Sequence, residues 1–241
     1  MKRNESGVTE VFVAELRERA SERGIDFVQY PLGPQDRNVL SDTLFSNNFD
    51  HFSLVEMKFS DIELASECHK RDRVSALCQA LEKNARMRKF HDQCHLIAWK
   101  DSTSGELKTS PYRHQICNRD VLGSSCNLRS RAPDNTWTVD ITKFADDFFG
   151  DPAKRCLGKA DFKKYVAWLL GVVTDSKVKQ LEVIARGRNA ENRPIATTVS
   201  LDQICDELAI RAKSHNASAS EQLEQSAGNK KLVANLLLNG E

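Results

Sequence analysis

The run from Phe52 to Phe59 is apolar enough for the interior of a β-sheet, yet it carries a carboxylate and an ammonium, Glu56 and Lys58, two residues apart. Side chains alternate along a strand, so both groups point to the same face. Buried charge is costly unless it is paired or bound to a metal. A strand holding both charges either leaves them as a solvated pair at a sheet edge or gathers them into a site.

A shorter apolar run, Val39 to Phe45, carries Asp42, and Ser46-Asn47-Asn48 between the two runs signals a turn. A hairpin over that turn brings Asp42 roughly opposite Glu56, at the separation of a cross-strand pair. Asp50 is a poorer partner, because on the same extended strand it stands about 20 Å from Glu56 at roughly 3.3 Å per residue. Acid-x-Lys triplets are cheap, with about two expected from a composition this charged. Of the others, Glu106-Leu107-Lys108 sits beside a turn. Asp161-Phe162-Lys163 lies in a helical pattern, where residues two apart do not share a face.

The flanking patterns order these strands. A helix is expected from Val8 to Arg23, with Val8, Val11, Phe12 and Leu16 as its apolar stripe and Gly24 at its end. At roughly 100° per residue, Glu15 projects inside that stripe. A short strand, Ile25 to Tyr30, stops at Pro31-Leu32-Gly33-Pro34. A helix from Arg71 to Met87, with Val74, Leu77, Cys78, Leu81 and Ala85 on one face, precedes a strand from Cys94 to Trp99. A helix between strands suits a crossover within one sheet.

Residues Thr109 to Asn135 read as irregular and basic, with Arg113, His114, Arg119, Arg129 and Arg131. Helices follow at Ile141–Phe149 and Asp161–Val173, then a hairpin of Leu181–Arg186 with Ile195–Val199. Ser200-Leu201-Asp202-Gln203 has the form of a capping box opening a helix to about Lys213. Ser214 to Lys230 is a polar linker, and Leu232–Leu238 a short terminal helix. The expectation is an α/β core over 1–135 with a mixed central sheet flanked by helices. A mostly helical α/β elaboration over 136–213 packs on it, with a linker and terminal helix over 214–241.

With 35 basic and 34 acidic residues in 241, whole-chain charge selects neither nucleic acid nor membrane. No apolar run has the length of a membrane span, and the start Met1-Lys2-Arg3-Asn4-Glu5 does not read as a signal peptide. Seven scattered cysteines read as reduced thiols in a cytoplasmic protein. Cys68-His69, Cys78, His91 and Cys94-His95 leave structural zinc as an alternative, although no Cys-x-x-Cys is present. The absence of a Gly-rich phosphate loop argues against an NTPase.

Two carboxylates on facing strands suit Mg2+, which often takes one or two and fills its remaining positions with water and substrate phosphate. Lys58 would orient the attacking water or contact the phosphate, and Glu15 is a candidate further ligand or base. These residues, in this order, resemble the PD-(D/E)xK nuclease superfamily, which includes restriction endonucleases, Holliday junction resolvases and RecB-type nucleases. The resemblance covers roughly Val8 to Trp99 and implies a restriction-endonuclease-like α-β-β-β-α-β core. The family's aspartate falls on Asp42, its (D/E)xK motif on Glu56-Met57-Lys58, and its helix-borne acid on Glu15. Ser41 stands where proline often precedes the aspartate, and Gln79, off the apolar face of its helix, is the only match to a glutamine found in some branches.

The resemblance implies a Mg2+-dependent nuclease acting on DNA, with Mn2+ as a substitute ion and Asp42 and Glu56 as metal ligands. For two-ended duplex cleavage it commonly implies a homodimer, although nothing in these residues demands one; the apolar runs imply no membrane, and a partner protein goes with the reading that follows. The other reading is a non-catalytic, nuclease-like adaptor in a nucleic-acid-processing complex. Basic residues recur where a backbone would pass: Lys70, Arg71 and Arg73, then Arg86, Arg88 and Lys89.

Overall fold

The structure, a computed structural model, describes residues 5–32, 41–48, 50–123, 133–173, 182–188, 193–204 and 206. Arg129, Arg131, the polar linker and the terminal helix lie outside the described residues.

The first helix, α1 (Glu5–Glu22), buries Val8, Phe12, Val13, Leu16 and Ala20. Val11, expected inside the stripe, is 61% exposed, so the buried face is rotated away from it. Gly24 ends the helix at φ +62°, a left-handed conformation in which glycine carries no Cβ penalty.

Strands β1 (Phe27–Pro31), β2 (Thr43–Asn47) and β3 (His51–Lys58) form an antiparallel meander. A 3-10 helix (Asp61–Lys70), α2 (Arg71–Lys83) and α3 (Ala85–Cys94) then carry the chain to β4 (His95–Lys100), which pairs parallel to β3. The single expected crossover helix is two. Asn84 breaks it with extended backbone, and its side chain accepts from the Met87 N–H to cap α3.

The segment expected to be irregular from Thr109 begins inside the sheet, its first three residues closing a strand. Asp101 accepts from the Thr103 and Ser104 N–H groups, Gly105 takes φ +77°, and β5 (Leu107–Pro111) returns antiparallel to β4. Helices α4 (Tyr112–Ile116) and α5 (Arg119–Leu122) follow, the latter capped by Asn118. Leu107-Lys108-Thr109-Ser110-Pro111 lacks apolar alternation, so only burial of Thr109 and Ser110 marks it as interior strand.

Later residues join the same layers. Strand β6 (Val139–Asp140) extends the sheet beyond β5. Strand β7 (Leu157–Gly158) pairs with His51 and Phe52 of β3, which β4 does not reach. Helix α6 (Ile141–Phe148) packs with α1, and α7 (Lys159–Val173) with α2 and α3. A separate hairpin, β8 (Glu182–Arg188) and β9 (Pro194–Ser200), lies beside β1. The capping box forms: the Ser200 N–H donates to Gln203 Oε1 and the Gln203 N–H donates to Ser200 Oγ.

The fold is therefore α/β, with a mixed seven-stranded sheet flanked by helices. Strand alternation divides its apolar residues between two cores. Leu44, Phe52, Leu54, Ile97 and Trp99 face α2, α3 and α7, while Phe45, Val55, Met57, Leu96 and Ala98 face α1 and α6. Among the described residues no helix is long and apolar enough to cross a membrane. The expectation of reduced thiols fails for one pair: Cys78 on α2 is bonded to Cys117, just after α4. The fold brings their Cα atoms to 5.7 Å across 39 residues of sequence, a proximity no spacing rule reveals.

Candidate active site

Parity along β3 puts Glu56 and Lys58 on the face that also carries Phe52 and Leu54, toward the crossover helices. The β2–β3 register pairs Thr43 with Val55, so Asp42, one residue before β2, comes opposite Glu56. The expected convergence is present. An Asp42 carboxylate oxygen accepts from the Met57 N–H at 2.8 Å, between the two motif residues. Asp42 is held from the other side as well, its carbonyl accepting from the Leu32 N–H. Asp50 is exposed at the far end of β3, against His51.

Glu56 and Lys58 are buried, at 2% and 7% exposure, which excludes a solvated edge pair. Their charges are met by two residues of the 3-10 helix. Glu56 Oε1 accepts from Lys58 Nζ at 2.9 Å and from Lys70 Nζ at 2.8 Å. Glu67 Oε1 lies 2.7 Å from Lys58 Nζ and 3.2 Å from Lys70 Nζ. The Tyr112 hydroxyl donates to the other Glu67 oxygen at 2.5 Å. Two carboxylates and two ammonium groups thus alternate in a closed ring, with a buried phenol behind one of them.

The two carboxylates sit in opposite electrostatic conditions. Burial, then the charges of Asp42 and Glu67, push Glu56 up to about 7 against the pull of both lysines. Burial also pushes Glu67 up, but Lys70, Lys58 and the hydrogen bonds from Lys58 and Tyr112 outweigh it and hold it at about 2. For Lys58, burial pulls down while Glu56 and Glu67 pull up harder, so the ammonium stays charged. Burial drives the Tyr112 hydroxyl well up, with Glu67 and Glu56 adding to it, which keeps it a donor.

Glu15 does not join this group. It is half-buried in an ion pair with Arg19 at 3.0 Å, where α1 packs its apolar residues on the opposite face of the sheet, and it is the first turn of the helix that comes within electrostatic reach of the site. The α1 acid that feels the site is Glu5, in the first turn: burial raises it first, and Lys58, Asp42, Glu63 and Lys70 all act on its charge. At roughly 100° per residue, Glu5 lies on the side of α1 that carries Phe12 and Leu16, although at the helix's first turn it is itself exposed. Beginning the helix at Val8 hid this signal. Nothing in the local sequence marks Glu67 or Tyr112.

Other candidates have structural partners. Arg113 makes a two-pronged pair with Asp92, so it is not a loose cation waiting for a backbone, and His114 contacts Asp134. Gln79 is exposed. Arg113 N–H donates to His91 Nε2, so His91 carries its proton on Nδ1 and donates to the Tyr165 hydroxyl, which donates to His95 Nδ1. With Cys78 in a disulfide, the Cys/His series is dispersed. Among the described residues no three or more His, Cys, Asp or Glu side chains are arranged to hold a metal ion.

The chain matches no family model, no curated protein and no solved structure.

Proposed function

We propose that this chain is a divalent-metal-dependent nuclease hydrolysing phosphodiester bonds in DNA, with a restriction-endonuclease-like core. The observation that carries the reading is the Asp42 carboxylate seated on the Met57 amide, between Glu56 and Lys58. The order α1, β1, β2, β3, helical crossover, β4 supports it, since it is the order the resemblance implies. Two carboxylates would suit Mg2+ or Mn2+, which often takes no more from the protein: Asp42 acts on the charge of Glu56, and Glu5 feels the charge of Asp42. Asp42 and Glu56 would hold the ion.

Bound there, such an ion would acidify a water and neutralise charge developing on a phosphoryl group. Lys58, its stem fixed in β3, would orient the attacking water or contact the phosphate. Glu5 replaces Glu15 as the assisting acid. Lys70, 27% exposed at the end of the 3-10 helix, is the cation nearest the site with access to solvent and so to a nucleic-acid backbone.

The test is incubation of the protein with plasmid, linear duplex and single-stranded DNA, with and without Mg2+, beside Glu56→Ala and Lys58→Ala. Metal-dependent cleavage lost in both variants supports the assignment; equal activity in all three proteins ends it.

One observation favours a second reading, a non-catalytic adaptor on the same scaffold: Glu56 already has two ammonium partners. Calorimetry separates the two, because an adaptor shows no Mn2+ binding that depends on Asp42 and Glu56.

A further inference from the structure

Glu67 is 1% exposed, lies outside the motif strands, and grips the same two lysines as Glu56. We propose that Glu67, braced by Tyr112, is a positioning residue that keeps Lys58 and Lys70 in place when Glu56 exchanges its ammonium partners for a divalent cation. The inference rests on the metal-binding reading above.

Glu56 Oε1 accepts from two ammonium groups. A divalent ion on that carboxylate would repel both, and Lys58, only 7% exposed, has little water to take up its charge. Glu67 Oε1, 2.7 Å from Lys58 Nζ, is the acceptor already in place. Its other oxygen is tied to Tyr112, and Tyr112 opens α4 on the strand end of β5. Glu67 is therefore anchored from a different part of the fold than the strands that would carry the ion. Removing its charge leaves two ammonium groups competing with the ion for Glu56. Removing one ammonium as well restores the balance.

The experiment is calorimetric titration of Mn2+ into the full chain as wild type, Asp42→Ala, Glu67→Gln, Glu67→Gln/Lys70→Met and Tyr112→Phe. Changes to groups that orient ligands and their neighbours shift metal affinity by about 10- to 100-fold. Glu67→Gln is expected to weaken Mn2+ binding by about tenfold or more, on that scale. The double variant should return to within about threefold of wild type, a recovery that lost packing would not give. Tyr112→Phe, which keeps the ring, should weaken binding in the same direction by less, and it stands in if Glu67→Gln does not fold. Unchanged affinity in Glu67→Gln, or loss without recovery in the double variant, overturns the proposal. If Glu67→Gln does not fold, unchanged affinity in Tyr112→Phe does so. If Asp42→Ala binds Mn2+ as wild type does, the metal site itself is wrong and the exchange falls with it.

Discussion

Glu56 and Glu67 hold the same two ammonium groups through one oxygen each, yet their proton affinities are pushed in opposite directions, to about 7 and about 2. Asp42 faces Glu56 and adds negative charge there, whereas Tyr112 offers Glu67 a donor. The same cations therefore meet one carboxylate that resists ionisation and one that favours it.

Opposite pH effects on stability follow. Glu67 is held below its unfolded value near 4.5, so it stabilises the fold above that pH, and the contribution disappears as pH falls toward 2. Glu56 is held above its unfolded value, so its ionisation costs stability as pH rises from about 4.5 to 7. Each effect is about 3 kcal/mol in size, and in the wild type they oppose each other. Glu67→Gln should therefore be less stable than wild type at pH 7, while Glu56→Gln should gain on wild type between pH 4.5 and 8. Urea unfolding at pH 3, 5 and 8 measures both; shifts of the same sign would contradict this account.

Asp42 has two separable roles, and two substitutions divide them. Asp42→Asn keeps a side-chain oxygen for the Met57 N–H and should stay within about 1 kcal/mol of wild type while losing Mg2+-dependent cleavage. Asp42→Ala orphans that N–H as well and should cost about 1–3 kcal/mol. Melting curves beside a cleavage assay test the pair, and an active Asp42→Asn protein would remove Asp42 from the chemistry.

The His91–Tyr165–His95 chain is buried and requires neutral imidazoles. Burial, then His95 and Arg113, hold His91 well below its ordinary value near 6.5. A histidine depressed in the fold adds stability above its unfolded value and loses it as pH falls, so stability should decline below about pH 6.5. Tyr165→Phe strands a buried donor on His91 and an acceptor on His95, and should cost about 1–3 kcal/mol in thermal or urea unfolding. A neutral Tyr165→Phe would mean the chain contributes no net stability.

The Cys78–Cys117 bond closes a loop of 39 residues, for which chain entropy suggests about 4 kcal/mol of stabilisation. Reduction should lower the unfolding midpoint accordingly. Among the free thiols of the described residues, Cys68, Cys94 and Cys156, alkylation at pH 8 should favour Cys68. Burial pushes Cys94 well up, and pushes Cys156 to about 12 with a further contribution from Asp50. Peptide mapping after brief labelling reads the order directly.

Local signals sufficed where they were periodic or stereochemical. The turn after Asn47, the two-residue parity of Glu56 and Lys58, the Gly24 stop and the Ser200–Gln203 box are all set by neighbours in sequence, and all stand in the structure. So does the placing of Asp42 opposite Glu56, because a hairpin register follows from its turn. The choice between Glu5 and Glu15 needed more, since it depends on where α1 begins and which sheet face it covers. Glu67, Lys70 and Tyr112 come from a 3-10 turn and a short helix far along the chain, and the Cys78–Cys117 pair joins α2 to the end of α4. Tertiary packing decided these: no local period links Glu67 and Lys70 to their partners on β3, and Tyr112 and Cys117 meet Glu67 and Cys78 across 45 and 39 residues. The chain by itself determined which residues could carry charge into a strand; only the folded sheet decided which cations would meet them.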